Sequence, residues 1–241
     1  MALLKKYKTP FGPIRVTCDV DGTVAYYQNG CFHSQADARG VSVCSYVHVI
    51  YDIIQQKKAP KKKTRVLIIG CGGGTLATML SRLGVHITVV DINSVAFEIA
   101  QDYFQMPDDV VCIQRNGLTF VRKTTQRFDA VVIDVFGAQN NVPHGFTTKG
   151  FLGSVKHILR RGGVVLMNVI NKKSNDQRAD AIANNIDAAG MNASLYEWSK
   201  EPHHNVIVVG GTVKQVSVPS KAVPAAIRKE LKAIVCRKPK I

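Results

Sequence analysis

"RVLIIGCGGGTLATMLSRLGVHITVVDIN", residues 65–93, decides how this chain is read. A β-branched apolar run over 65–69 leads into Gly70, Gly72, Gly73 and Gly74, and Leu76, Met79 and Leu80 follow at helical spacing. That order reads as strand, glycine turn, helix. Glycines in such a turn permit backbone conformations and a close approach that a Cβ would forbid. A second apolar run then ends at Asp91, about 20 positions beyond Gly70, where an acid can accept hydrogen bonds from two ribose hydroxyls. Loop and acid together point to a nucleoside site. The plainer alternatives are a glycine turn that serves packing alone and an Asp91 that caps the helix starting near Ser94.

Which nucleoside is bound follows from the loop. A nicotinamide dinucleotide fingerprint wants glycine at its sixth position, and Thr75 stands there. The G-x-G-G-G pattern suits instead a sulfonium nucleoside of the S-adenosylmethionine type, which carries no pyrophosphate. Its adenine needs a partner after the third strand, and "QRNGLTFV" supplies Asn116 and Gly117, with Leu118 as packing. Asn116 as a plain helix N-cap is an equal reading.

Outward from this stretch, apolar runs at 65–69, 86–90, 110–114, 128–133 and 163–168 alternate with helical patterns. Alternation of this kind predicts a parallel sheet with helices on both faces. "NASLYEWS" and "NVIVVGG" add two strands, for about seven in all with an antiparallel edge. Before the core, "GPIRVTCDV", "TVAYYQ" and "CFHS" are separated by Asp21-Gly22 and Asn29-Gly30, which predicts a small β-meander. Residues 41–56 then show Val43, Tyr46, Val47, Ile50, Ile53 and Ile54 at helical spacing. The expected organisation is an N-terminal unit over 1–56, a nucleoside-binding core over 64–213, and a basic tail over 214–241. One short helix is expected there, in "VPAAIRKELKAIV".

With 241 residues and 46% hydrophobic composition the chain can bury one main core and a small appended unit. No run of eighteen uncharged apolar residues occurs, and "MALLKKYKTP" lacks a signal-peptide core, so neither membrane insertion nor export is expected, and the default is a cytoplasmic protein. Six cysteines without a C-x-x-C pair predict mostly buried, reduced thiols and no metal site. The net charge of +15 is clustered in "KKAPKKK" at 57–63, Arg160-Arg161, Lys172-Lys173 and "RKELKAIVCRKPK". Such a field favours anionic partners, nucleic acid among them. A solvated surface with a disordered tail is the plainer reading, and no nucleic-acid module signature accompanies the charge.

Several stretches, in this order and spacing, resemble one family: "VLIIGCGGGTLATMLSR", "VVDIN", "RNGLTFV" and "FDAVVIDVFGAQNNVPHGFTTKGFLGSVKHILRRGGVVLMNV". They are similar to the spermidine synthases (polyamine aminopropyltransferases), and "TPFGPIRVTCDVDGTVAYYQNGCFHSQAD" is similar to that family's small β-domain. The resemblance covers roughly residues 10–210 and is most specific over 128–151. It implies a Rossmann-like, S-adenosylmethionine-methyltransferase-type core under a β-hairpin cap, a possible homodimer, and aminopropyl transfer from decarboxylated S-adenosylmethionine to a polyamine. Carried over by position, the donor loop is Gly70 to Gly74, the ribose acid is Asp91, and the acid that orients and deprotonates the acceptor amine is Asp134.

The departures bear on the substrate. Gly73 stands where the family has the acid for the donor's amine, Gly137 where it has a second catalytic acid, and Asn116 where it has an adenine-side acid. No Tyr-Gln gate precedes the first hairpin. The Asp-x-Phe pattern of "DVFGAQNNVPHGF" instead resembles a divergent branch of spermidine-synthase-like proteins. On the acceptor side, Tyr26, Tyr27, Gln28, His33 and Asp37 are candidates from the β-unit, and His144 from a loop that can lie over the site; His203-His204 carries less weight. Three functions follow: an aminopropyltransferase with a small-molecule amine acceptor, an S-adenosylmethionine-dependent methyltransferase, and an inactive nucleoside-binding protein attached to nucleic acid by its basic clusters.

Overall fold

A computed structural model describes residues 1–57, 63–137, 141–173, 175–199, 201, 204–216 and 223–240. Four strands, β1 (Ala2–Tyr7), β2 (Ile14–Cys18), β3 (Val24–Gln28) and β4 (Cys31–Ala36), form an antiparallel meander in that order. The two glycine turns fall where expected, with Gly22 at φ +80° and Gly30 at φ +78°. Strand β1 was not foreseen. "ALLKKY" has no two-residue alternation, and five of its six residues are exposed, so apart from Tyr7, which packs against the meander and α3, it is held by backbone pairing.

Helix α1 (Ser45–Gln55) follows, and then the core alternates β5 (Arg65–Ile69), α2 (Thr75–Ser81), β6 (His86–Asp91), α3 (Val95–Phe104), β7 (Val111–Gln114), α4 (Gly117–Lys123), β8 (Phe128–Ile133), α5 (Lys149–Ile158) and β9 (Leu159–Asn171). After α6 (Arg178–Ala188) come β10 (Ala193–Glu197), β11 (His204–Gly210), α7 (Ala225–Leu231) and β12 (Val235–Arg237). The large sheet has the order β12-β10-β11-β9-β8-β5-β6-β7, parallel from β9 through β7 and antiparallel beyond β9. The seven expected strands are present, and three-residue β12 makes an eighth at the edge.

One face of the sheet buries Leu67, Ile69, Val131, Ile133, Val165 and Met167 against α4, α5 and α6. The other buries Val66, Ile68, Val89, Val132 and Leu166 together with Val47, Ile50, Ile53 and Ile54 of α1. The helix that sequence grouped with the N-terminal unit therefore shares its apolar face with the core. The expected boundary at 57–63 falls largely on 58–62, outside the described residues. A third cluster joins Ile14, Val16, Tyr26 and Ala36 of the meander to Ile99 and Phe104 of α3, which seats the small sheet over the carboxyl ends of β5 and β6.

Residues 223–240 of the basic C-terminal segment pack against this core. Ile227 and Leu231 of α7 are buried at helical spacing, and Arg237 bridges Asp180 (2.6 and 2.8 Å) and Glu197 (2.7 Å). Arg160 likewise pairs with Asp129 at 2.7 Å, so part of the clustered charge is spent within the fold. The six cysteines are unpaired, but five are only half-buried and Cys236 is exposed. They are less buried than the sequence predicts, Cys18 and Cys31 lying on a sheet with one open face. No helix among the described residues is long and apolar enough to cross a membrane.

Candidate active site

Ligand sites in such sheets lie beyond the carboxyl ends of the parallel strands. Here β5, β6, β7 and β8 all end on one cavity of about 570 Å³, roofed by the small sheet and flanked by Tyr46 of α1.

The glycine loop forms its floor. Gly70 adopts φ +94°, and a Cβ there would lie 2.1 Å from the backbone oxygen of Asp134, so only glycine lets β5 and β8 part at this point. Gly72 and Gly74 are also left-handed. Asp91, at the end of β6, accepts the backbone N–H of Cys71 through Oδ2 (2.7 Å) and that of Asn93 through Oδ1 (2.8 Å). These bonds tie the acid to the glycine loop and leave lone pairs for a diol. Burial raises its carboxyl above the ordinary value, and the backbone donors act against that rise. Asp91 does not cap α3: Ser94 stands at the cap position, with no side-chain capping bond.

Beyond β7, Asn116 does cap α4, its Oδ1 accepting from Leu118 N (2.9 Å) and Thr119 N (3.3 Å). It also lines the cavity, so Nδ2 remains as its donor to a ligand. The cap and the binding reading are compatible. Gly117 packs so closely that a Cβ would meet Ile69 Cγ2 at 2.3 Å.

Asp134 follows β8. Its Oδ1 accepts from Asn168 Nδ2 at 2.9 Å and its Oδ2 from the Tyr46 hydroxyl at 3.2 Å. Burial pushes its carboxyl up and these two donors pull it down; burial also keeps the Tyr46 phenol protonated. Tyr46 and Asn168 went unrecognised in the sequence. Tyr46 reads as one more apolar position of α1, whereas Asn168, a lone polar residue inside "VVLMNVI", was a signal available to be read.

The acceptor-side candidates divide. Gln28 and His33 line the cavity, as does Tyr26, whose ring meets His33 edge-on at 6.0 Å. Burial lowers the His33 pKa, favouring the neutral ring. Tyr27 points to the other face of the meander, under Arg15 and against Phe32. Asp37 sits in a surface turn, bound to Arg39 and the N–H of Val41, away from the cavity. His144 is exposed in a single 3₁₀ turn (His144–Phe146), while its neighbours Pro143 and Phe146 reach the cavity. Alternation explains the first exclusion, since Tyr26 and Gln28 share the face opposite to Tyr27. His203 lies outside the described residues.

Gly73 is buried, and its N–H donates to Ser34 Oγ of β4 at 3.0 Å. A Cβ there would lie 2.9 Å from Phe104 Cε1 and 3.0 Å from Ser34 Cβ. The space of the missing acid is therefore filled by a phenyl ring and a serine. Gly137 lines the cavity, and among the described residues a Cβ there meets nothing nearer than Pro143 Cγ at 3.5 Å. Asp91 and Asp134 are thus the only carboxylates among the described residues lining the cavity. No group of three or more His, Cys, Asp or Glu converges as a metal site among the described residues.

Residues 44–202 match the spermine/spermidine synthase domain. A polyamine aminopropyltransferase of Vibrio vulnificus is 31% identical over 122 residues, 46% of this chain and 39% of that protein. An eEF1A lysine and N-terminal methyltransferase homolog of Drosophila pseudoobscura is 29% identical over 153 residues, 58% of this chain and 23% of that protein. The chain therefore matches well under half the length of either relative. A probable spermidine synthase from Corynebacterium glutamicum superposes with a TM-score of 0.81 at 18% identity, covering 99% of this chain and 91% of that one, a likeness of fold.

Proposed function

This chain belongs to the spermine/spermidine synthase family, and from that premise we propose that it is a transferase that holds an S-adenosyl sulfonium in the cavity and moves an alkyl group to an amine. The first reading is aminopropyl transfer from decarboxylated S-adenosylmethionine to a small-molecule amine. The observation that carries it is Asp134, a half-buried carboxylate that lines the cavity and accepts from two neutral donors.

On this reading Asp91 takes the ribose hydroxyls, Asn116 Nδ2 the adenine edge, and Gly70, Gly72 and Gly74 the close approach of the nucleoside, whereas Gly73, under Phe104 and Ser34, does not line the cavity. The acceptor nitrogen attacks the carbon next to sulfur, the C–S bond electrons return to sulfur, and the proton released from nitrogen goes to Asp134. A sulfonium leaves readily, so proximity and alignment supply most of the rate.

A second reading, methyl transfer from intact S-adenosylmethionine, is favoured by the occupied space over Gly73. Phe104 and Ser34 leave no carboxylate to face a donor whose tail ends in an amine alone. The relatives include enzymes of both kinds.

Calorimetric titration with S-adenosylmethionine, decarboxylated S-adenosylmethionine and methylthioadenosine separates the two, followed by mass spectrometry of a panel of amines incubated with the preferred donor. Tighter binding of the decarboxylated donor and a mass gain of one aminopropyl group support the first reading. Preference for the intact donor with methylated product supports the second, and no binding of any of the three refutes both.

A further inference from the structure

Asp134 has two oxygens with different partners, and a chain of amides behind one of them makes them unequal. Asn205, half-buried on β11, donates through Nδ2 to Asn168 Oδ1 at 2.9 Å. Asn168, 1% exposed in the middle of β9, then presents Nδ2 to Asp134 Oδ1 at 2.9 Å. The two amide orientations are linked. Turning Asn168 over would set its carbonyl against the carboxylate and its NH₂ against the NH₂ of Asn205, two repulsive contacts in place of two bonds. Oδ1 is thereby held as an acceptor. Oδ2 faces the hydroxyl of Tyr46, which donates or accepts by rotating its own proton.

We propose that Asn168 and Asn205 are positioning residues that keep Asp134 Oδ1 occupied, so that Oδ2 alone receives the acceptor's proton while the Tyr46 hydroxyl reverses from donor to acceptor. This rests on the proposed transfer reaction. In that step the nitrogen lone pair forms the new N–C bond, the C–S pair returns to sulfur, and the proton moves from nitrogen to Oδ2. The new carboxylic O–H rotates about the C–Oδ2 bond to donate to the Tyr46 oxygen, whose own proton turns into the cavity that Tyr46 lines, and the sulfonium and carboxylate charges cancel. Among the described residues, the titratable groups that face Asp134 are Tyr46 and the Cys44 thiol at the start of α1, and both stay protonated, burial pushing Cys44 up to about 11.

The test uses the full chain labelled with carboxyl-¹³C aspartate and ζ-¹³C tyrosine, titrated without substrate, with Asp134→Asn and Tyr46→Phe identifying the signals. The Tyr46 signal should move with the same midpoint as that of Asp134 while remaining a phenol. The Asp134 midpoint should rise in Asn168→Leu and rise less in Asn205→Ala, where Asn168 keeps its N–H but loses its anchor. In transfer assays the acid limb of the kcat profile should move up with these midpoints. At its plateau, kcat should fall by about 10²-fold in Asn168→Leu with little change in donor KM.

Unchanged midpoints in both variants, or a Tyr46 signal indifferent to Asp134, overturn the proposal. If Asn168→Leu fails to fold, Asn205→Ala, at a half-buried position, decides alone. A wild-type chain that transfers nothing from either donor sinks the functional reading, while the titrations still decide the amide chain.

Discussion

Placing an acid at position 73 is expected to destabilise the fold, and relief of Phe104 should recover part of the loss. Gly73 has an ordinary backbone conformation, so space alone is at issue: a Cβ meets Phe104 Cε1 at 2.9 Å, Phe104 Cζ at 3.0 Å and Ser34 Cβ at 3.0 Å. Phe104 is fully buried between α3 and the meander and cannot swing into solvent. Overpacking of this kind costs about 1–3 kcal/mol, and an unpaired carboxylate in a buried position adds to it. Phe104→Leu removes the ring edge that clashes, at a cost of about 1–2 kcal/mol when made alone. In the double variant Gly73→Asp/Phe104→Leu the new side chain occupies space that the ring has vacated. Its loss should therefore be about 1–2 kcal/mol smaller than the two single losses added together. Urea unfolding of the four proteins gives this coupling, and calorimetry on the same samples gives donor preference, expected to move toward decarboxylated S-adenosylmethionine in the double variant. Losses that add to within about 0.5 kcal/mol would refute the claim that Phe104 and an acid at position 73 compete for one space.

Other perturbations test the remaining parts of the site. Asp91→Ala removes the acceptor of Cys71 N and Asn93 N as well as the proposed ribose partner, and should abolish nucleoside binding; equal calorimetric affinity in wild type and variant would sink the assignment. Asp134 illustrates a raised acid: the folded chain holds its proton more tightly than the unfolded one, so the stability this confers is full below the ordinary carboxylate value and is lost as pH rises through the folded value. Asp134→Asn should accordingly have a higher Tm than wild type at neutral pH and lose that advantage in acid, while transfer disappears; a pH-independent difference in Tm speaks against a half-buried, titrating Asp134. Gly70→Ala should fail to accumulate folded protein by circular dichroism, because its Cβ would overlap the Asp134 carbonyl. Arg237→Ala leaves Asp180 buried without its cation and should cost about 1–3 kcal/mol in urea unfolding, with donor affinity unchanged.

The local signals were strong wherever one short segment satisfied its own physics. Glycines that need positive φ, apolar runs with a two-residue or helical period, and an acid at the end of β6 are properties of neighbouring residues, so the core strands, the glycine loop and Asp91 were legible before any coordinates. Gln28 and His33 were legible as neighbours in one hairpin, but their alternation also offered Tyr27, and only the seating of the meander on α3 decides which face meets the cavity.

What no local pattern held was the set of contacts made across the fold. Tyr46, Asp134, Asn168 and Asn205 come from α1, the end of β8, β9 and β11, and their hydrogen bonds exist because the sheet order sets β9 between β8 and β11 while α1 crosses above. Phe104 and Ser34 meet over Gly73 for the same reason, through α3 and β4. By itself the sequence determined an α/β core with a glycine loop and acids at two strand ends, because strand period, turn geometry and loop spacing act over a few residues. The tertiary structure alone decided what surrounds those acids, because hydrogen bonds and steric exclusion act over a few ångströms between residues far apart in the chain.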